Sequence, residues 1–267
     1  MSPVRKTLLY FHGGPGLNAN PERQLLAPAF HQAGFDIQLF EEPSTKRPNG
    51  PPVLKDLAAG YTAAAADFLL QHSRAGGVRL IGHSFGTMVV HYLCSKYPAL
   101  VSQVILIAPC LNINAAELNV VRLAADDFCE AKLDGHQLLN RYRLELEAGE
   151  YAHKREAMNL ASQDPHLFVH YWSDWQKGQE FLGHYQEPEF APEPANFAPV
   201  RFGFPEPDPT PIPIPALTIY GADDSVAKAR EQQPTVSAAF PINQWRTLPC
   251  SRHYPHIEKS AEFLALV

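Results

Sequence analysis

Four short stretches carry residue types that together could do nucleophilic chemistry. Gly82-His83-Ser84-Phe85-Gly86 fits the pattern G-x-S-x-G. It follows the apolar run Val78 to Ile81 and precedes a helical pattern from Gly86 to Tyr97, stopped by Pro98. A serine on so tight a strand-to-helix turn needs small neighbours, which Gly82 and Gly86 supply. It also faces a helix N-terminus, which favours developing negative charge. Ser84 is therefore the candidate nucleophile. His12-Gly13-Gly14-Pro15-Gly16 likewise follows an apolar run, Thr7 to Phe11. A glycine turn there lets backbone N–H groups point at a reacting centre, and the oxyanion of acyl transfer needs two such donors. The candidates are the N–H groups of Gly14 and of Phe85, one residue past the serine. The stretch is not G-x-G-x-x-G and no Walker lysine follows it, which sets a phosphate loop aside.

A serine needs a general base, and the base needs an acid that fixes its tautomer. Gly221-Ala222-Asp223-Asp224 comes just after the run ending at Tyr220 and offers that acid. Asp224 is the candidate, with Asp223 as the alternative. The turn after Ala108 holds Asn112 and Asn114 but no acid. The last strand-like run leads into Ser251-Arg252-His253-Tyr254-Pro255-His256-Ile257-Glu258. His253 is the candidate base, and His256 is its rival.

These stretches need a sheet to hold them. Thr7–Phe11, Asp36–Phe40, Val78–Ile81, Val104–Ala108, Ile214–Tyr220 and Gln244–Leu248 read as strands. Helical patterns over 58–71, 86–97 and 257–266 lie among them. The alternation predicts an α/β fold, a mostly parallel sheet flanked by helices. Between Leu111 and Thr210 strand signals stop and helices are expected near 115–129, 135–148 and 151–161. An insertion of this kind reads as a helical cap over 111–210, with the core in 1–110 and 211–267. The cap holds 17 Asp and Glu against 8 Lys and Arg, net −9, while the remainder is +3. Its aromatics Phe168, Tyr171, Trp172, Trp175, Phe181 and Tyr185 read as packing the cap onto the core, with the lining of an acyl or side-chain pocket as the alternative. The stretch 188–215 carries ten prolines and reads as an extended, stiff connector back to the core.

Composition narrows the classes. The 267 residues carry a net charge of −6, with no basic stripe of the kind nucleic acid requires. No stretch approaches the ~20 apolar residues of a membrane span. Cys94, Cys110, Cys129 and Cys250 form no C-x-x-C pair, so they read as reduced thiols rather than zinc ligands. Met1 to Lys6 shows no signal-peptide pattern, and a cytoplasmic location is expected by default. A small-molecule substrate is expected, with no metal or organic cofactor; the oligomeric state stays open.

The four stretches H-G-G-P-G, G-H-S-F-G, G-A-D-D and R-H-Y-P-H-I-E together resemble the α/β-hydrolase superfamily. The resemblance covers roughly residues 4–110 and 214–267. The H-G-G-P-G form resembles the prolyl aminopeptidase branch, whose members carry a large helical cap with acids that bind the substrate amine. That branch usually has a G-G-S-W-G elbow and a D-Q-R-G-x-G-x-S loop. Here the elbow carries His83 and Phe85, and the loop position reads Glu41 to Pro48. The resemblance implies a serine hydrolase using Ser84, His253 and Asp224 on an ester, thioester or amide. A carboxylester hydrolase is the first expectation and an aminopeptidase the second. A lyase, a cofactor-free oxygenase or a binding scaffold on the same fold is the alternative of another class.

Overall fold

The computed structural model describes residues 6–43, 57–186 and 197–267. Along the chain come β1 (Lys6–Phe11), α1 (Asn20–Leu25), α2 (Ala27–Gln32), β2 (Phe35–Leu39), α3 (Leu57–His72), β3 (Val78–His83), α4 (Gly86–Lys96) and β4 (Val101–Ile107). Five α-helices follow among the described residues: α5 (Ile113–Glu130), α6 (His136–Glu147), α7 (Lys154–Ala161), α8 (Trp175–Gly183) and α9 (Phe197–Gly203). The chain closes with β5 (Ala216–Gly221), α10 (Ala229–Ala239), β6 (Asn243–Leu248), α11 (Pro255–Glu258) and α12 (Ser260–Leu264).

The strands form one six-stranded sheet, parallel throughout, in the order β2-β1-β3-β4-β5-β6. Period-two alternation sends each strand's side chains to two different layers. Leu9, Phe11, Leu80, Val104 and Leu106 pack with α3, α4 and α10. Leu8, Tyr10, Ile81, Ile105, Ile107 and Ile219 pack with α2, α11 and α12. Both faces are covered, which is why these strands read as continuous apolar runs. The edge strand β6 is instead largely exposed and polar along Asn243-Gln244-Trp245-Arg246-Thr247.

Strand order reverses direction at β1, so the loops leaving β1 and β3 part to opposite sides of the sheet. Phe11 pairs with Gly82, which puts the H-G-G-P-G and G-H-S-F-G turns side by side. A crevice at such a switch point is where open α/β sheets bind ligands.

Two local readings of the sequence change. The predicted closing helix over 257–266 is two short helices broken at Lys259 (φ −129°, ψ 50°). The Glu258 carbonyl, which would accept a bond from a continuing helix, instead accepts from Lys177 Nζ at 2.9 Å. The proline-rich connector also contains α9; residues 188–196 of that stretch lie outside the described residues. Pro213 and Pro215 have no N–H to give the sheet, and β5 starts only at Ala216. The Pro215 carbonyl still accepts from Val104 N at 3.0 Å.

Candidate active site

Ser84 stands between the end of β3 and the start of α4 with φ +52°, a left-handed conformation rare for a non-glycine residue. The surroundings over-determine it. Its N–H donates to the Ile107 carbonyl (3.0 Å), and its own carbonyl accepts from Thr87 N (3.0 Å) and Thr87 Oγ1 (2.6 Å). The glycines on either side are set by close approach. A Cβ on Gly86 would lie 2.1 Å from the Phe11 carbonyl oxygen, and one on Gly82 would lie 2.6 Å from the Gly86 carbonyl oxygen.

From this elbow the Ser84 hydroxyl lies 2.9 Å from His253 Nε2, and His253 Nδ1 lies 3.0 Å from Asp224 Oδ2. A carboxylate can only accept, so Nδ1 carries the proton and Nε2 is left to accept from the serine. The other Asp224 oxygen accepts from Val226 N (2.8 Å) and Ala227 N (3.0 Å), which locks the carboxylate. The His253 and Asp224 side chains are each 1% exposed. Asp223, the alternative acid, is exposed. His256, the alternative base, bonds through Nε2 to the Tyr10 hydroxyl at 2.9 Å.

His253 is fixed through its backbone as well. Its N–H donates to the Tyr171 carbonyl (3.0 Å), and its carbonyl accepts from His83 Nε2 (2.8 Å). Glu258 braces the same loop: one oxygen accepts from Arg252 N (2.7 Å), and the other from Ser173 N (2.6 Å) and Asp174 N (3.1 Å). The elbow histidine and the Glu258 of the last motif thus both hold the candidate base in place.

Gly14 has φ +129°, which favours glycine, and its turn is tied down by Glu42, whose carboxylate accepts from Gly16 N at 3.0 and 3.1 Å. Neighbouring Glu41 accepts from Ala19 N (3.2 Å) and pairs with Arg23. The two acids of the unmatched loop therefore anchor the glycine turn; its remaining residues from Ser44 to Pro48 lie outside the described residues. Neither the Gly14 nor the Phe85 N–H has a hydrogen-bond partner among the described residues, and both residues line a cavity beside Ser84.

Two cavities lined by described residues open on the serine. The larger, about 490 Å³, runs from the glycine turn and His253 to Val120, Met158, Leu167 and Phe168, and no carboxylate lines it among the described residues. The smaller, about 80 Å³, is bounded by Cys110, Glu117, Arg201 and Val226. The Cys110 sulfur lies 3.7 Å from the Ser84 hydroxyl oxygen, and burial pushes its thiol up to about 12. Nothing in the sequence pattern signals this contact, because a lone cysteine 26 residues away has no motif. Glu117 and Arg201 are equally silent, one inside an amphipathic helix and the other inside the proline-rich stretch. The aromatics divide. Trp172, Phe181 and Tyr185 are buried in the core layer, with Trp172 stacked on Tyr254 at 4.4 Å, whereas Phe168 and Tyr171 line the larger cavity.

Behind the site, Glu22, His83 and His256 each bring a possible metal-ligand atom within 4.8 Å of the others, the one such cluster among the described residues. Burial pushes the Glu22 carboxyl up to about 8. Burial, reinforced by His253, lowers His256 to about 3, and burial likewise lowers His83. The signs set a stability profile. Between pH 6.5 and 8 an unfolded Glu22 is ionised while the native one holds its proton, so stability falls as pH rises. The buried histidines act oppositely, losing stability as pH falls below their unfolded value near 6.5. Glu22→Gln keeps the Tyr10 contact but removes the alkaline fall. Urea unfolding should therefore show the wild type losing about 1.5–2 kcal/mol relative to Glu22→Gln between pH 6.5 and 8. Parallel curves over that range would contradict the buried, protonated carboxyl.

Comparison with known proteins places this architecture. A family model described as the alpha/beta hydrolase fold matches residues 6–260. The chain belongs to the α/β hydrolase fold family. Among solved structures, this α/β hydrolase is similar to the proline iminopeptidase-related protein of Thermus thermophilus, with a TM-score of 0.66 and 20% identity over 98% of this chain and 87% of that one. It is also similar to MenH from S. aureus (TM-score 0.63, 14% identity, covering 99% and 93%). A third is the proline iminopeptidase of Mycobacterium smegmatis (TM-score 0.60, 20% identity, covering 99% and 88%). No curated protein matches the sequence. Among the described residues of the α/β hydrolase, no helix is long and apolar enough to cross a membrane.

Proposed function

We propose that this α/β hydrolase is a serine carboxylester hydrolase acting on small substrates. The observation that carries the reading is the hydrogen-bonded line from Ser84 Oγ to His253 Nε2 (2.9 Å) and from His253 Nδ1 to Asp224 Oδ2 (3.0 Å). In the proposed mechanism the Ser84 oxygen forms a bond to the ester carbonyl carbon while His253 takes the hydroxyl proton. Asp224 stabilises the imidazolium that results. The oxyanion is held by the Gly14 and Phe85 N–H groups, each worth about 3–4 kcal/mol by the usual cost of losing one donor. The carbon–oxygen bond to the alcohol then breaks and His253 delivers its proton to the leaving oxygen. Water adds to the acyl-enzyme, gives a proton to His253, and the acid departs as Ser84 regains its proton. No step calls on a metal or organic cofactor. The helices from α5 to α9 act as a cap that closes over this chemistry and shapes the acyl pocket.

The larger cavity favours esters over amino-terminal substrates. Recognition of a free amine needs an unpaired carboxylate, and none lines that cavity among the described residues. The carboxylate of the smaller one, Glu117, is already paired with Arg201 and Lys154. A panel of p-nitrophenyl esters set against prolyl and alanyl naphthylamides tests the preference. Esters should give kcat/KM at least ten-fold higher. Turnover of the amine-bearing substrates alone would transfer the assignment to an aminopeptidase.

A further inference from the structure

The smaller cavity at Ser84 contains charge that the proposed ester chemistry does not use. Arg201, on α9, is 2% exposed and Glu117, on α5, is 3% exposed. Arg201 Nε lies 2.8 Å from Glu117 Oε1, and Lys154 Nζ from α7 lies 3.2 Å from Glu117 Oε2. Two cations thus share one buried carboxylate; of the three groups, Arg201 and Glu117 line the cavity and Lys154 does not. Glu206, mostly exposed, is a more distant partner at 4.0 Å from Arg201 Nη1. Lys154 has a second partner in Asn114 Oδ1 at 2.9 Å. Arg201 Nη2 is buried with no hydrogen-bond partner among the described residues. A buried guanidinium edge without an acceptor is costly, and its planar donor fork matches a carboxylate.

Both Arg201 and Ser84 line this cavity, whose volume of about 80 Å³ is small. One water's share of liquid volume is about 30 Å³, so the space suits a carboxylate on one or two carbons and little more. We infer that Arg201 receives a carboxylate on the acyl side of the substrate, making the substrate class monoesters of short dicarboxylic acids. This rests on the serine hydrolase reading and names the acyl group for it. The alcohol then faces the larger, apolar cavity. Attack follows the steps already given, with the dicarboxylic acid released from Ser84 by water.

The test compares three ethyl esters on the purified wild-type protein: monoethyl succinate, its neutral isostere ethyl 4-methylpentanoate, and ethyl 4-aminobutanoate. Monoethyl succinate should have kcat/KM at least ten-fold above the isostere, and the ammonium ester should be the poorest. In Arg201→Gln the ratio of succinate to isostere should fall to about one. Succinate binding measured by calorimetry gives a second readout, present in the wild type and lost in the variant. Arg201→Lys, which keeps the charge, should retain part of the preference should the glutamine variant fold poorly. Hydrolysis of the neutral ester without a succinate preference, or a preference for the ammonium ester, would overturn the inference while leaving the serine hydrolase intact. No turnover of any ester together with an unreactive Ser84 would overturn both.

Discussion

Replacing Ser84 with alanine is expected to reduce kcat for p-nitrophenyl acetate by about 10⁴- to 10⁶-fold, the range seen when a nucleophile that works as a unit with its base is removed. The fold should survive. Every backbone bond at the elbow is made by main-chain atoms of residue 84 or by Thr87, and alanine retains them. Among the described residues the lost hydroxyl bonds only to His253 Nε2 and, at 3.7 Å, the Cys110 sulfur. Thermal unfolding should therefore shift by only a few degrees at most, in line with a loss of about 1 kcal/mol. A variant that kept more than a tenth of wild-type kcat would remove Ser84 from the mechanism. The neighbouring thiol does not offer a substitute nucleophile, since burial pushes Cys110 up to about 12 and the thiolate is scarce at neutral pH.

The second large effect concerns the frame around that serine. Gly86→Ala should cost at least about 3 kcal/mol and reduce activity by about 10² or more in whatever protein still folds. The cause is distance: a Cβ at this position would sit 2.1 Å from the Phe11 carbonyl oxygen and 2.7 Å from that of His12. Those atoms belong to the end of β1 and the start of the glycine turn, so relief must push the elbow and the Gly14 donor apart. Gly183→Ala is the matched control, because a Cβ there meets nothing within 4 Å. It should change stability by less than about 1 kcal/mol. Chemical denaturation of both variants checks the pair. Equal, small losses would mean that the approach of α4 to β1 is looser than the geometry implies.

The contrast between these residues marks what a sequence can and cannot reveal. The core is legible because β1, β3, β4 and β5 are buried on both faces and so appear as apolar runs. Three of the four motifs are glycine-containing breaks right after such a run, while the His253 motif follows the polar edge strand β6. The choice between neighbours is not legible. Asp223 and Asp224 differ by one position, and only the Val226 and Ala227 N–H groups turn the second of them inward. His256 is bound to Tyr10, 246 residues away in sequence, a contact with no local signature. The break at Lys259 follows from Lys177 capturing the Glu258 carbonyl across 81 residues. Arg201 is hidden for another reason: the prolines around it suggest extended chain, whereas seven residues among them form a helix.

Whether His253 and Asp224 make Ser84 a reactive nucleophile is a question for covalent labelling. The folded protein is treated with a fluorophosphonate probe, digested, and the modified residue is located by mass spectrometry. One adduct is expected, on Ser84, absent from Ser84→Ala and slowed at least a hundred-fold in His253→Ala. A folded protein whose Ser84 stays unmodified, or whose labelling rate ignores the loss of His253, would contradict the triad.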